Sequence, residues 1–171
     1  MNKKIRNKKS NVQKMASKKL QTKQTLIDTL DKRIMGELLS NSRLSYRQIA
    51  KRIKVSPATV LTRIKKLELN KIVKYYTAIL DHEELGYDLS AIIELSISKG
   101  KLIDVEKEIA KSMNVVGVYD VTGTTDAIVL AKFKNRRELN SFIKRVLNME
   151  FVERTNTRVI LNTIKEDFRL L

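Results

Sequence analysis

The segment 57–67 (PATVLTRIKKL) carries hydroxyl and cationic side chains at spacings that share one side of a helix. Threonine and arginine can donate hydrogen bonds to base edges, and basic side chains supply the positive field that holds phosphates. The residues of this kind, here and just upstream, are Ser45, Tyr46, Arg47, Ser56, Thr59, Thr62, Arg63 and Lys66. They are candidate contacts to double-stranded DNA, with Arg63 as the candidate reader of guanine.

Two short amphipathic helices joined by a tight turn must position these side chains. The first begins at a capping Ser45, and the second begins at Ser56 followed by Pro57. The residues that must face inward are Ile49, Ile53, Val60, Ile64 and Leu67. This is a helix-turn-helix, which places its second helix in the major groove while the start of the first holds a phosphate. The alternative interpretation is an ordinary helical hairpin with solvated lysines.

The formal net charge of +16 is unevenly placed along the 171 residues. Residues 1–25 hold nine basic side chains and no acid, residues 26–87 hold 12 basic and seven acidic side chains, and residues 88–171 hold 14 and 12. A polyanionic partner is therefore expected to bind the first half of the chain. The tail at 1–25 is predicted to be disordered and to add affinity for DNA without specificity, through counterion release. The alternative is a solubilising tail.

The sequence offers little for catalysis or metal binding. It has no Cys, and its single histidine, His82, is predicted to be a surface loop residue rather than a metal ligand or a general base. It also lacks a phosphate-cradling glycine loop and a paired-nucleophile motif, so we predict no enzyme, no cofactor and no metal. No segment is apolar enough to cross a membrane, and the predicted location is the cytoplasm, associated with the nucleoid.

A third helix is predicted ahead of the pair, with Asp28 or Thr29 as its cap. Its apolar residues at helical spacing are Leu30, Ile34 and Leu38. The three helices form a winged-helix-like DNA-binding domain at 26–70. The β-branched and aromatic segment that follows predicts an extended linker at 71–87.

From Asp88 onward the pattern changes to strand, helix, strand, strand, helix, strand. The two helices are marked by the stripes Leu102, Val105, Ile109 and Met113, and Leu139, Phe142, Ile143 and Val146. This order predicts a ferredoxin-like βαββαβ sandwich at 88–171, with both helices on one face of the sheet. The fold class of the chain is therefore α+β.

The other face of that sheet is predicted to be partly apolar. The apolar residues that alternation places there are Ile92, Ile128, Leu130, Ile160 and Ile164. We expect a second copy of the sheet to cover them, since twofold self-association is the commonest way to bury one patch. The alternative cover is the connecting strand of the same molecule.

Over residues 27–167 the sequence resembles the Lrp/AsnC family, the leucine-responsive and asparagine-synthetase regulators of bacteria and archaea. The resemblance rests on LDKRIMGELLSNSRLSYRQIAKRIKVSPATVLTRIKKLE, the YYTAIL segment and VTGTTDAIVLAKF. It implies a transcriptional regulator with an N-terminal helix-turn-helix, a β-linker and a C-terminal ligand-sensing domain. It also implies homodimers that assemble into tetramers, octamers or larger rings, with an amino-acid effector bound between dimers.

The family's Gly-x-x-Asp signature falls on Gly123 and Asp126, with Thr124 and Thr125 between them. The resemblance implies that these four residues bind the effector: glycine lets a ligand approach the backbone, and a carboxylate can receive an α-amino group. The alternative is a hairpin turn with a positive φ at Gly123 and a capping hydrogen bond made by Asp126.

Two positions depart from the family pattern. Lys54 stands in the helix-turn-helix turn where relatives usually have glycine, and a left-handed backbone there would cost about 1 kcal/mol. Thr124 and Thr125 stand where relatives often carry an acid and an aromatic residue. The first departure concerns the geometry of the turn, and the second concerns which ligand, if any, is bound.

The function predicted from these patterns is sequence-specific DNA binding by a transcriptional regulator. In a dimer, paired helices would read two half-sites about 34–36 Å apart. One alternative is a DNA-compacting architectural protein, which would use the same charge without reading bases. A remote one is an RNA-binding module, suggested by the strand order of the second half.

Overall fold

The computed structural model describes residues 27–98 and 100–171, so the predicted basic tail lies outside the described residues. The chain divides into two compact units. One unit extends to Ala78 and includes Asp167–Leu171, and the other spans Ile79–Glu166. The predicted domain boundaries follow changes in sequence pattern, whereas these units follow packing.

Three helices make up the first unit. They are α1 (Thr29–Ser40), α2 (Tyr46–Ile53) and α3 (Pro57–Leu69). The predicted caps are confirmed: the side chains of Asp28, Ser45 and Ser56 each accept a hydrogen bond from the backbone N–H three residues on, at 2.8, 3.3 and 3.0 Å. These bonds satisfy amides of each first turn that have no partner within the helix. The start of each helix is therefore encoded locally.

The three helices pack around one small apolar core. Its buried members are Ile34, Ile49, Ala50, Ile53, Val60, Ile64 and Leu67. They include every inward-facing residue predicted for α2 and α3. Burying a large aliphatic side chain stabilises a fold by about 1.5–3 kcal/mol, so this core holds α3 firmly against the other two helices.

The turn between α2 and α3 has the left-handed backbone predicted for Lys54, with φ 57° and ψ 52°. Lys54 ends α2, and its N–H donates to the carbonyl of Ala50. A Cβ atom is strained in this conformation, whereas glycine adopts it freely. The helix-turn-helix geometry is thus kept at some cost in stability.

Lys54→Gly is expected to raise the free energy of unfolding of the first unit by up to about 1 kcal/mol, because it removes this strain but adds entropy to the unfolded chain. Urea unfolding followed by circular dichroism measures the change. Lys51→Gly, inside α2, is the matched control and should instead lower the free energy of unfolding by about 1 kcal/mol. A loss of stability in both variants would contradict the strain at Lys54.

No strand forms within residues 71–87, although their composition predicts an extended linker and the resemblance implies a β-linker. Instead, the N–H groups of Ile72 and Val73 donate to the Leu67 carbonyl at 2.9 and 3.3 Å, and both side chains pack on the helical core. β-branched residues favour extended backbone, but a strand also needs a neighbouring strand to hydrogen-bond. The first part of the predicted linker therefore belongs to the helical unit.

The second unit has the predicted order of elements. They are β1 (Leu89–Ile97), α4 (Leu102–Ile109), β2 (Val115–Asp120), β3 (Ala127–Phe133), α5 (Arg136–Leu147) and β4 (Val152–Val159). The sheet order is β2-β3-β1-β4, and all neighbouring strands are antiparallel. This confirms the ferredoxin-like sandwich.

The core of this unit lies between the sheet and the two helices. Ala91, Ile93 and Leu95 of β1 are fully buried there, and Val105 and Phe142 cover them from the helical side. The apolar stripe predicted for the first helix of this unit, α4, extended one residue too far, to Met113. Met113 is 96% exposed because α4 ends four residues before it.

The opposite face of the sheet is partly apolar, as predicted. Four of the five residues predicted for it are half-buried, namely Ile92, Ile128, Leu130 and Ile160. Ile92 lies directly across from Leu130 in the β1–β3 pair. The prediction was wrong for Ile164, which is 89% exposed. Because β4 ends at Val159, strand alternation no longer determines where Ile164 points.

Candidate functional site

The side of α3 that faces away from the core carries a stripe of exposed residues. These are Ala58, Thr62, Lys65 and Leu69. Thr62, a predicted DNA contact, lies within this stripe, and its hydroxyl donates to the Ala58 carbonyl at 3.0 Å. Thr62 is the predicted contact on α3 that the structure places most openly on the outer face.

Two other members of the stripe, Ala58 and Lys65, were not among the predicted DNA contacts. Both stand three or four residues from Thr62, and that spacing puts them on the same helical face. A signal was therefore available in the sequence. A small side chain near the start of a groove-reading helix lets the backbone approach the bases, and alanine can contact a thymine methyl group.

Ser56 and Thr59 lie at the start of α3 and are hydrogen-bonded to each other. Ser56 accepts the Thr59 N–H at 3.0 Å, and the two hydroxyl oxygens are 2.8 Å apart. Thr59 is half-buried, and Ser56 is exposed. Their first role in the structure is to cap the helix, and this fixes the position of its first turn.

Arg63 is not on the open face where the sequence pattern placed it. Its side chain is 30% exposed, and Nη1 donates to Oδ2 of Asp28 and, at 3.2 Å, to Oδ1 of Asp31. Arg63 follows Val60 by three residues and precedes Leu67 by four, so it borders the apolar stripe. At that border Nη1 of the guanidinium reaches the carboxylates at the start of α1.

The carboxylates that receive Arg63 belong to the capping box of α1. Asp31 is completely buried, and its Oδ2 accepts the Asp28 N–H at 3.2 Å. The Asp31 N–H and the Arg63 guanidinium hold the pKa of Asp28 below its usual value. Hydrogen bonds from Arg63 to Asp28 and Asp31 raise the pKa of the guanidinium in turn. Lys66 is half-buried, with Nζ 3.9 Å from Asp31 Oδ2.

The start of α2 brings Ser45, Tyr46 and Arg47 together, and all three are exposed. The Ser45 hydroxyl donates to Gln48 Oε1 at 2.9 Å while it caps the helix. The amides of a first helical turn and its dipole favour an anion. This helix end therefore has the chemistry predicted for a phosphate contact.

Tyr76 connects the segment after α3 to the last turn of that helix, which the sequence did not predict. Its hydroxyl donates to Glu68 Oε1 at 2.8 Å. Burial and then the Glu68 carboxylate raise the pKa of Tyr76 to about 12, and Tyr46 adds to the shift. The hydrogen bond keeps the Glu68 carboxylate oriented toward Tyr76.

The predicted effector loop is a hairpin turn tied to the end of β1. Gly123 has φ +131°, in the region that favours glycine. The Thr125 hydroxyl donates to the Leu95 carbonyl at 2.7 Å, and Asp126 Oδ2 accepts the Ile97 N–H at 2.8 Å. Both features of the hairpin-turn alternative are present. Gly123, Thr124 and Asp126 are exposed, whereas Thr125 is half-buried.

Glu106, on α4, has a buried carboxylate oxygen. This oxygen, Oε1, has no hydrogen-bond partner among the described residues. Burial raises the pKa of Glu106, and the charge of Asp120, at the end of β2, raises it further. The buried oxygen of Glu106 could not be predicted from the sequence, because a glutamate in an amphipathic helix normally lies in solvent.

Comparison with known proteins places this geometry in a family. The model of the AsnC-type helix-turn-helix domain matches residues 27–68, and the model of the Lrp/AsnC ligand binding domain matches residues 90–170. A protein of Pyrococcus abyssi (strain GE5 / Orsay), named an uncharacterized HTH-type transcriptional regulator, is 49% identical over 145 residues, which cover 85% of this chain and 99% of that protein. This chain belongs to the Lrp/AsnC family of transcriptional regulators.

Other proteins similar to this Lrp/AsnC regulator are also named transcriptional regulators. The HTH-type transcriptional regulator FL11 of Pyrococcus horikoshii is 35% identical over 144 residues, which cover 84% of this chain and 95% of FL11. The crystal structure of a Neisseria meningitidis transcriptional regulator in complex with L-Met has a TM-score of 0.79 at 29% identity, over 85% of this chain and 96% of that one. The comparisons support a sequence-specific regulator and give no support to the DNA-compacting alternative.

Within residues 27–98 and 100–171, no cluster of three or more His, Cys, Asp or Glu side chains is placed to hold a metal ion. None of the helices in that part of the chain combines the length and the apolar character that a bilayer crossing requires.

Proposed function

We propose that this Lrp/AsnC regulator reads base edges in the major groove with the outer face of α3. The observation that carries the proposal is the exposed stripe of Ala58, Thr62 and Lys65 on a helix whose opposite side is locked into the core. A fixed helix with small and polar side chains outward can approach the floor of the groove closely. Thr62 is the proposed direct base contact, and Lys65 the proposed phosphate contact.

The other predicted contacts take supporting roles in this proposal. Ser45, Tyr46 and Arg47, at the start of α2, hold a phosphate and so set the docking angle of the domain. Ser56 and Thr59 fix the first turn of α3 at the groove, since their hydroxyls are bonded to each other. All five side chains lie near the start of α2 or α3, and these helix ends are the parts of a helix-turn-helix that approach the groove first.

We propose that the protein acts as a homodimer joined through the open sheet face of the second unit. Ile92, Ile128 and Leu130 leave an apolar centre there. Beside them Glu94 accepts a hydrogen bond from Arg158 at 3.0 Å, so these two charges on the face are paired with each other. A twofold axis through such a face buries the same patch on both copies and provides two recognition helices. Further assembly into tetramers, octamers or larger rings follows the family pattern.

The effector we propose is an amino acid bound at the loop that contains Gly123 and Asp126. A structural relative was crystallised with L-Met, and the family model is that of a ligand-binding domain. In this chain Asp126 Oδ2 is bonded to backbone, while Oδ1 has no hydrogen bond to the described residues and can receive an α-amino group. A ligand that joins two dimers there would change how many half-sites are held together. We place this action in the cytoplasm, at the nucleoid.

One experiment tests the main proposals together. The purified full chain is used to select sites from random duplexes, with and without each common amino acid, and the size of the complex is measured by sedimentation. Related half-sites about one helical turn apart support paired reading. A randomised duplex bound as tightly as the selected one would overturn sequence-specific reading. A monomer at micromolar concentration would overturn the dimer, and no response to any amino acid would overturn the effector.

Thr62→Ala is expected to lower the preference for the selected site about fivefold, from the loss of one net hydrogen bond worth about 1 kcal/mol. Lys65→Ala should weaken binding to all sequences alike and reduce the salt slope by about 0.9. Quantitative binding assays at several salt concentrations separate these two effects. Lys107→Ala, on α4 of the other unit, is the charge-matched control and should change neither quantity. If Thr62→Ala weakens binding to all duplexes by the same factor, Thr62 does not read a base.

A further inference from the structure

Two carboxylates at the start of α1 hold an arginine of the recognition helix by one nitrogen. Arg63 Nη1 donates to both Asp28 Oδ2 and Asp31 Oδ1. The carboxylates are themselves fixed, because the Asp31 N–H donates to Asp28 Oδ1 at 2.8 Å and the Asp28 N–H donates to Asp31 Oδ2 at 3.2 Å. The arginine is therefore attached to a rigid part of the domain rather than to another mobile side chain.

The anchored nitrogen leaves the rest of the guanidinium available. Arginine has five N–H donors, of which Nη1 carries two. In the described part of the chain, Nε and Nη2 have no hydrogen-bond partner, and the side chain is 30% exposed. Nε and Nη2 form one edge of the fork, and such an edge matches the O6 and N7 acceptors of guanine.

We infer that Asp28 and Asp31 are specificity-determining positioning residues, which hold Arg63 so that its Nε–Nη2 edge meets one guanine in the major groove. The inference rests on the proposed reading of DNA by α3. A free arginine loses rotamer freedom when it binds a base, whereas Arg63 is ordered before DNA arrives. The carboxylates also keep the guanidinium from swinging to a phosphate, a contact that carries no sequence information.

The arrangement has an electrostatic cost that makes it testable. The Asp28 side chain is 51% exposed, and its negative charge beside the recognition helix repels the DNA backbone. Removing that charge should therefore strengthen binding to DNA of any sequence while it weakens discrimination. The loss of an ordinary DNA contact lowers both the affinity and the discrimination between sequences. A rise in affinity together with a fall in discrimination therefore distinguishes a positioning role.

Asp28→Asn is the decisive variant because asparagine caps helices as well as aspartate does. Its amide oxygen still accepts the Asp31 N–H, but an NH2 group takes the place of the oxygen that faces Arg63. On the full chain, we expect the preference for the selected duplex over its version with one guanine replaced to fall about tenfold, which is within the range for one bidentate contact. Affinity for a randomised duplex should rise.

Glu37→Gln is the matched control. Glu37 also lies on α1, and it pairs at 2.9 Å with Arg52 of α2, away from the recognition helix. It loses the same charge, so randomised DNA should bind at least as tightly as before, while the preference at the guanine position stays unchanged. Arg63→Lys keeps the positive charge but lacks the fork, and should lose the same base preference as Asp28→Asn. The double variant should lose no more than either single one.

The outcomes separate this inference from the proposed function. If the wild-type protein prefers its selected site but Asp28→Asn discriminates equally well, or weakens binding to every duplex alike, the positioning role is wrong and base reading by α3 stands. If Arg63→Lys keeps the base preference, Arg63 is not the reader, whatever Asp28→Asn does. If the wild-type protein has no preferred site, the proposed function fails and this inference fails with it.

Discussion

Ile64→Ala is expected to unfold the helix-turn-helix unit at moderate temperature and to abolish DNA binding. Ile64 is 1% exposed and lies in the core between α3 and the other two helices. Truncating a buried isoleucine costs about 2–5 kcal/mol. A unit of this size has only about 3–8 kcal/mol of stability in total, so one side chain accounts for a large share of it. The loss of binding follows from the loss of the folded helix.

Calorimetry and circular dichroism would show the effect of Ile64→Ala as a lower midpoint of one transition. The transition of the second unit should stay in place, because its core shares no residue with the helical one. Thr62→Ala, two residues away on the exposed face of the same helix, is the matched control and should keep both midpoints within a few degrees. If Ile64→Ala lowers both midpoints equally, the two cores are not independent.

Deleting residues 1–25 is expected to produce the largest change in salt dependence. The segment carries nine basic side chains and no acid. Each phosphate neutralised adds about 0.9 to the slope of log affinity against log salt, so removal of the segment should lower that slope by up to about 8. A protein that makes six to ten phosphate contacts loses about 10³–10⁵-fold in affinity when salt rises from roughly 50 to 200 mM, and the deleted chain should lose far less over the same range. Discrimination between sequences should stay the same.

Two variants define what the tail contributes. Replacing its nine Lys and Arg residues with glutamine should reproduce the deletion, whereas scrambling the order of the same residues should leave binding unchanged, since counterion release depends on charge and not on sequence. Fluorescence anisotropy at a series of salt concentrations measures both. A deletion with an unaltered salt slope would support the solubilising alternative.

Features that depend on neighbours along the chain could be predicted closely. The caps at Ser45 and Ser56 act over three residues. The left-handed backbone at Lys54 is expected because the resemblance places this residue where relatives usually have glycine. The inward stripe of α3 and the βαββαβ order follow from periodicity, which the backbone geometry of helices and strands imposes directly. These predictions succeed because the physics that decides them acts within one turn or one pleat.

Features that join distant segments could not be predicted. Arg63 looked like a free reader of DNA because nothing near it in the sequence could bind it, yet Asp28 is 35 residues away in the chain and adjoins it in the fold. Asp126 is expected to make a capping hydrogen bond in one of the two interpretations of its loop, but its partner, the Ile97 N–H, lies 29 residues away in the chain and could not be identified from the loop sequence. The end of β4 at Val159, which leaves Ile164 in solvent, also depends on where the neighbouring strand stops.

By itself, the sequence determined the helix-turn-helix and the sandwich, because apolar spacing and capping residues act locally, and its motifs carried the resemblance to the Lrp/AsnC family. The tertiary structure decided which polar groups are available to a ligand. A charged side chain is satisfied by whatever partner packing brings within about 3 Å, and that partner is set by how helices and strands meet. The ion pairs of Arg63 could not be predicted, and they show that Thr62 and Lys65, rather than Arg63, are the exposed polar residues on the outer face of α3.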